Sequence, residues 1–303
     1  MKEKFGRIGV LMGGPSSERE ISLKSGRAVY QALKEQGLNV VPIDICNNSL
    51  KNIKQAKINC AFIALHGKFG EDGTIQSMLE SLCIPYTGSG VRASRLCLDK
   101  VASRRIFKQF AIPVPKYDVL NRQSWRKRLP QLKLKFPLVV KPSTEGSSIG
   151  VTFVEKRRKL NQAINYAFNY GDTTIIERYI KGKEITVGIL KDKALPVVEI
   201  VPKSRFFDFQ AKYKKGKSEY IVPAKLSQRH YKRAQKLGLL AHKALGCRGF
   251  SRVDMILSKG ESFVLEVNSI PGLTSRSLLP MAAQARGISL GELCLNIVRL
   301  CLK

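Results

Sequence analysis

Two kinds of apolar patterning follow one another along this 303-residue chain, and the switch between them limits what it can fold into. In the first stretch, short apolar runs alternate with helical periodicity. Residues 8–12 read as a strand ending in Gly13-Gly14-Pro15. A helix then carries Ala28, Val29, Ala32 and Leu33 on one face and stops at Gly37. Further strands fit 39–44 and 60–65, the latter delivering His66 at its end. Strand–helix alternation of this kind predicts an α/β unit with a parallel sheet. Ligands of such sheets sit beyond the carboxyl ends of the strands, so 13–18 and 66–73 are expected to face one cleft. A helix is expected over 96–110, ended by Pro113 and Pro115. Beyond it, β-branched segments come in pairs: 138–141 with 151–154, 174–177 with 185–190, and 252–257 with 263–268. Pairs joined by short Gly-containing links predict antiparallel hairpins. The fold class is therefore an α/β lobe (1–90) followed by two α+β lobes (91–182 and 183–303), with boundaries at Gly90 and Gly182.

A hydrophobic content of 44% excludes a disordered chain. Charge is the anomaly: 53 Lys and Arg against 23 Asp and Glu leave +30, which raises nucleic acid or an anionic membrane as partners. No run reaches the roughly 20 apolar residues of a spanning helix, and residues 1–14 lead into Ser16-Ser17-Glu18 rather than a cleavage site. Seven cysteines without a C-x-x-C pattern are expected to be reduced and mostly buried in a cytoplasmic protein.

The last hairpin carries the strongest chemical signal. With a turn centred on Gly260, Asp254 faces Glu266 and Arg252 faces Asn268, all four on one side of the ribbon. Two acids and an amide make a hard-oxygen site suited to Mg²⁺ or Mn²⁺, and Arg252 adds a fixed positive charge for anionic ligand oxygens. A solvent-facing polar side is the plain alternative, weakened because only four acids follow Glu219. The small-residue loop 141–150, Lys-Pro-Ser-Thr-Glu-Gly-Ser-Ser-Ile-Gly, suits a phosphate cradle with Lys141 adding charge, or equally a flexible turn. Two other nucleotide patterns fail: Ala211 stands where a Walker A loop before Gly216-Lys217-Ser218 needs Gly, and Gly88-x-Gly90-x-x-Ala93 has no acid near twenty residues on. His66 opens the motif 66–74 at the mouth of the cleft, where it can move a proton or stabilise charge. His230 and His242 are expected on the outside of a Lys-rich helix.

Taken in order, Gly13-Gly-Pro-Ser-Ser-Glu18, His66-Gly-x-x-Gly-Glu-Asp-Gly-Thr74, Tyr86-Thr-Gly-Ser-Gly90, Lys141-Pro-x-x-Glu-Gly-Ser-Ser148, Gln210-Ala-Lys-Tyr213, Ser251-Arg-Val-Asp254 and Glu266-Val-Asn-Ser-x-Pro-Gly272 resemble the D-alanine:D-alanine ligases of the ATP-grasp superfamily. The resemblance runs from about residue 6 to 298. It implies an ATP-grasp fold with a Rossmann-like N-terminal lobe and two α+β lobes clasping ATP. It also implies a reaction: ATP phosphorylates the carboxylate of one D-alanine, and the amine of a second attacks the acyl phosphate. The dipeptide serves peptidoglycan. By this resemblance Lys100, Lys141 and Lys212 hold ATP phosphates, and Asp254, Glu266 and Asn268 hold two Mg²⁺ (or Mn²⁺) ions. Ser147 and Ser148 cover the transferring group, Glu177 and Ile180 meet adenine, and Glu184 meets ribose. Glu18 binds the first D-alanine's ammonium in a group with Ser147 and Tyr213. His66 positions that substrate, Arg252 and Gly272 stabilise the oxyanion, and Ser277 and Leu278 meet the second substrate. Tyr213 favours an amine over D-lactate there. Departures are Gln210 for a usual Glu, Ile270 for a small residue and Arg276 for a frequent His; none removes a ligand.

The expected partners are D-alanine and ATP, in a cytoplasmic homodimer without membrane or specific nucleic-acid contact. The rival nucleic-acid reading rests on net charge alone. Its basic stretch 203–217 coincides with the expected substrate-covering loop, and the runs at 122–135 and 156–159 read as solvated surface.

Overall fold

The computed structural model of the chain describes residues 5–46, 51–202 and 218–301. Its N-terminal part is the expected parallel unit. β1 (Ile8–Gly13) lies between β2 (Val40–Ile45) and β3 (Cys60–Ile63), with α1 (Arg19–Glu35) and α2 (Lys51–Gln55) in the connections and α3 (Thr74–Ser81) following β3. Every residue of β1 is buried, as a central strand between neighbours on both edges requires. Gly37 takes φ +75 just after α1, a conformation glycine adopts at little cost.

The helix expected over 96–110 is instead two, α4 (Val91–Leu98) and α5 (Lys100–Gln109). Asp99 breaks it. Its backbone is extended, and its carboxylate accepts the amides of Val101 at 2.9 Å and Ala102 at 3.1 Å. An N-cap of this kind is worth about 1 kcal/mol, and a mid-helix Asp has no equivalent gain. The break makes Lys100 the first residue of α5, where its N–H donates to the Ser143 carbonyl at 2.9 Å.

The central sheet comprises β4 (Tyr117–Asn121), β5 (Leu138–Pro142), β6 (Thr152–Val154) and β7 (Thr173–Arg178), ordered β4-β7-β5-β6 and antiparallel. Trp125 of α6 (Trp125–Arg128) joins Leu160, Ile164 and Phe168 of α7 (Leu160–Phe168) in a core against Leu138 and Val140. The last sheet has β8 (Lys183–Leu190), β9 (Lys193–Pro202), β10 (Ser218–Ile221), β11 (Phe250–Ser258) and β12 (Glu261–Asn268), ordered β10-β9-β8-β11-β12. Ala234 and Ala241 of α8 (Gln228–Ala244) share a core with Val187, Val253 and Met255 of this sheet. α9 (Leu278–Gln284) and α10 (Leu290–Cys301) return to the N-terminal part, so Val29 and Leu33 share a core with Leu279, Leu293 and Ile297.

One expected hairpin does not form. The 174–177 and 185–190 segments are strands, but β7 is filled on both edges by β4 and β5, and β8 by β9 and β11. The link between them therefore crosses from one sheet to the other. Gly182, expected as a lobe boundary, lies in that link, where a Cβ would stand 2.3 Å from the Leu257 carbonyl.

His242 also differs from expectation. It is fully buried, with Nδ1 2.7 Å from the Ser251 hydroxyl, and burial pushes its pKa down to about 4. The helix turns this position inward onto β11, which Lys-rich composition does not reveal. All seven cysteines are free thiols, and Cys60, Cys97, Cys247 and Cys294 are buried; Cys46 and Cys83 are exposed.

Candidate active site

The β11–β12 hairpin brings Arg252 opposite Asn268 and Asp254 opposite Glu266, as expected, by a different route. The turn is the two-residue Lys259-Gly260 pair, at φ +50 and +82, between the paired residues Ser258 and Glu261. Both positive φ values match the twist that tight hairpins favour. That turn is centred half a residue before Gly260, which would offset the acids. A β-bulge between Asp254 and Met255 restores the register by leaving Leu265 unpaired on β12. Leu265 then lines a pocket beside Glu266, giving it an apolar wall next to an acid.

Asp254 is held from several sides. Arg252 donates to both its oxygens, Nε at 2.9 Å and Nη2 at 2.8 Å, while the Thr186 hydroxyl donates at 2.6 Å and the Asn268 amide at 3.1 Å. A forked guanidinium–carboxylate contact fixes geometry as well as charge. Asp254, Glu266 and Asn268 thus converge with hard oxygen donors only. Among the described residues no three His, Cys, Asp or Glu side chains form a metal cluster. Two carboxylates and an amide oxygen fit an ion that keeps most of its ligands from phosphate and water, as Mg²⁺ does.

The pocket lies between the two antiparallel sheets. Lys141 and Glu177, from neighbouring strands, pair at 2.7 Å at its base. Glu177 also accepts from Arg104, through Nε at 3.1 Å and through Nη2, while Arg104 Nη1 reaches the Val264 carbonyl at 3.1 Å. Burial pushes the Lys141 pKa down. It opposes the Glu177 carboxylate too, but Arg104 and Lys141 outweigh it and hold that pKa below the usual range. Lys100 reaches the Glu145 carbonyl at 2.5 Å and stands 3.4 Å from Glu266. Ile180 and Glu184 line the pocket from the inter-sheet link and the start of β8. In the loop after β5, Ser147 and Ser148 both take left-handed backbone, φ +49 and +58. Consecutive residues of that kind are strained and can turn amides toward an anion.

A second cleft continues from the hairpin toward the N-terminal sheet, lined by Glu18, His66, Glu71, Arg252, Ser277 and Leu278 among others. Glu18 sits just before α1 and accepts the Ser147 hydroxyl. Its carboxylate passes between two glycines: a Cβ on Gly67 would stand 2.6 Å from Oε2, and one on Gly146 3.2 Å. Burial raises the Glu18 pKa despite the Ser147 contact. His66 Nε2 lies 3.0 Å from the Ser25 hydroxyl. Burial, with Arg252 nearby, drops its pKa to about 4, so it is neutral at pH 7. Glu71 accepts the Gly67 amide at 2.8 Å, and burial followed by the Glu18 charge lifts its pKa to about 8. Gly272 admits Ser277: a Cβ there would stand 2.9 Å from the serine hydroxyl, which accepts the Thr274 amide at 3.1 Å just before α9.

Lys212 and Tyr213 lie outside the described residues. All the other candidate residues line one of the two connected clefts. Arg104 escapes a reading of the sequence because its partner is 73 residues away; its one local signal is a basic residue four positions after Lys100, on the same face of α5. Glu71 stands in the 66–74 motif without an expected role, and Thr186 and Leu265 have no local signal.

Comparison with known families decides the assignment. The family model described as D-ala D-ala ligase C-terminus matches residues 106–299, and that described as D-ala D-ala ligase N-terminus matches 7–50 and 46–89. The chain belongs to the D-alanine:D-alanine ligase family. It is 47% identical over 296 residues to the D-alanine--D-alanine ligase of Geotalea uraniireducens, covering 97% of this chain and 95% of that one. The ligase of Trichlorobacter lovleyi is 48% identical, with 94% and 90% covered. Among solved structures, the Bacillus anthracis D-alanine--D-alanine ligase complexed with ATP aligns with a TM-score of 0.86 and 37% identity, covering 98% of this chain and 97% of that one. The VanG D-Ala:D-Ser ligase of Enterococcus faecalis gives 0.85 at 30% identity, with 97% and 98% covered. The architecture of these ligases is ATP-grasp, so the pocket between the two antiparallel sheets corresponds to the clasp of that fold. Among the described residues no helix is long and apolar enough to cross a membrane.

Proposed function

We propose that this chain joins two molecules of D-alanine into D-alanyl-D-alanine for peptidoglycan, consuming ATP, with 1–90, 91–182 and 183–303 acting as its three lobes. The observation that carries this reading is the four-residue face of the β11–β12 hairpin, which stands where the two clefts meet. Phosphoryl transfer is largely positioning and charge neutralisation. Lys141, held by Glu177, and Lys100, first in α5, carry the positive charge toward the phosphates, with Lys212 as a third expected contributor. The amides at Ser147 and Ser148 face the transferring group. Ile180 and the 178–180 backbone border adenine, and Glu184 borders ribose. Glu177 contributes through Lys141, because Arg104 and Lys141 take up its carboxylate.

Asp254, Glu266 and Asn268 would hold two Mg²⁺ or Mn²⁺ ions. Bound there, such ions would supply charge neutralisation for the ATP phosphates. Arg252 then acts twice, because it orients Asp254 and also presents positive charge, with the Gly272 amide, to the oxyanion of the tetrahedral intermediate. Removal of such a donor typically costs about 10²- to 10³-fold in rate. In the substrate cleft Glu18 receives the ammonium of the first D-alanine, fixed by Ser147, with Tyr213 as a further expected contributor. A neutral His66 positions that substrate. Ser277 and Leu278 border the second. The free thiols suit a reducing cytoplasm, and a homodimer is the expected assembly.

The test is phosphate release by purified protein with ATP, Mg²⁺ and a panel of D-alanine, L-alanine, D-serine and D-lactate. D-alanine alone is expected to sustain turnover. Equal turnover with L-alanine would overturn the assignment, and preference for D-serine as partner would move the chain toward ligases such as VanG.

A further inference from the structure

Two N-terminal loops fasten the strained 143–150 loop, and only one of the contacts belongs to the site just described. Ser147 donates to Glu18. Independently, Lys68 forms an ion pair with Glu145. Lys68 follows Gly67, whose Cβ position lies against Glu18, and Glu145 precedes Gly146, whose Cβ position does the same from the other side. The ion pair therefore brackets the Glu18 carboxylate, closing the gap between the loop after β3 and the loop after β5. Glu145 is well buried and Lys68 half exposed, and the Glu145 carbonyl also accepts Lys100 Nζ at 2.5 Å. One residue thus ties the substrate-side loop, through Lys68, to a lysine of the nucleotide pocket.

We infer that Lys68 is a positioning residue: its ion pair with Glu145 seats the phosphate loop against the Glu18 substrate site, so that occupancy of the D-alanine site tightens nucleotide binding. This rests on the ligase reading of the two clefts. Ser147 and Ser148 keep left-handed backbone only while the surrounding contacts hold them. A substrate bound at Glu18 orders the N-terminal partner of that loop, and Lys68 transmits the order to the phosphate-binding amides. Such coupling is reciprocal, so the nucleotide tightens D-alanine by the same factor. A partly exposed pair is worth about 0.2–1 kcal/mol, which sets the effect at up to about fivefold.

The experiment measures the Kd of a non-hydrolysable ATP analogue, with Mg²⁺, in the presence and absence of saturating D-alanine. The proteins are the wild type, Lys68→Gln, Glu145→Gln and the double variant, each first matched to wild type by thermal melting. In the wild type D-alanine is expected to tighten the analogue about two- to fivefold. Lys68→Gln should remove most of that factor, and the double variant should be no worse than the more impaired single one, the signature of a shared interaction. Rising salt should erode the wild-type factor and leave that of Lys68→Gln unchanged. An undiminished factor in Lys68→Gln, or additive effects in the double variant, would overturn the inference. Wild-type turnover on D-alanine is scored separately. If that turnover fails, the ligase reading fails; if it stands while the binding factor is insensitive to Lys68, only the coupling does.

Discussion

The two connected clefts handle charge in opposite ways. Around the nucleotide pocket Lys141 and Arg104 face Glu177 and Lys100 stands near Glu266, while Arg252 meets Asp254 where the two clefts join. In the substrate cleft burial dominates the protonation of Glu18, Glu71 and His66. Glu18 and Glu71 are pushed up, and His66 is pushed down to about 4. A pocket that must receive a polyanion can exchange partners without ever exposing bare buried charge, which is costly. A cleft that must receive an ammonium and then a tetrahedral centre instead keeps groups poised to shift their protonation or pairing on binding.

The largest effect should come from breaking the face shared by both clefts. Asp254→Ala or Glu266→Ala is expected to lower kcat by about 10³-fold or more, on the scale of lost metal-assisted charge stabilisation, with unchanged circular dichroism. Residual activity within tenfold of wild type would break the metal assignment. Next, Arg104→Met leaves Glu177 buried with half its counter-charge, and breaking a buried pair from one side costs about 3–5 kcal/mol. Urea titration should show a fall of that order, whereas a comparable truncation of the partly exposed Arg19, paired with Asp44, should leave the midpoint close to wild type. Arg252→Met should lower kcat/KM about 10²- to 10³-fold, measured by D-alanine-dependent phosphate release.

A further test reads the substrate cleft by pH. Glu71, with a folded pKa near 8, holds a proton that the unfolded chain releases from about pH 4.5 upward. Its contribution to stability is fully present below pH 4.5 and is lost as pH rises through 8. Glu71→Gln should therefore flatten the stability profile between pH 4.5 and 8, read from urea midpoints. His66, with its pKa lowered to about 4, acts oppositely: its contribution is present above pH 6.5 and is lost as pH falls toward 4. Equal slopes in Glu71→Gln and wild type would contradict the buried-acid picture.

Much of this is legible in the residues themselves. The parallel unit of β1, β2 and β3, the position of His66 beyond β3, and the facing of Asp254 with Glu266 all follow from short-range periodicity. The hairpin shows how local reading can reach the right pairing through compensating details: the turn lies half a residue early, and the bulge at Leu265 returns the difference. Bulges leave no mark in an alternating pattern until the partner strand is known. The broken helix at Asp99 escapes for a different reason: its cap is local, but an Asp within a continuous helical period reads equally as a solvent-facing residue of one helix.

By itself the sequence determined the strands of the parallel unit and of the paired β-branched segments, which carboxylates share a face, and which loops are small enough to admit an anion, because these depend on residues a few positions apart. Tertiary structure alone decided that β7 and β8 part company to build a pocket between two sheets. It also decided that Arg104 directs its charge to Glu177, that His242 turns inward, and that Lys68 reaches Glu145. These depend on which edges and cavities remain after distant segments have packed, and no short-range pattern encodes that choice.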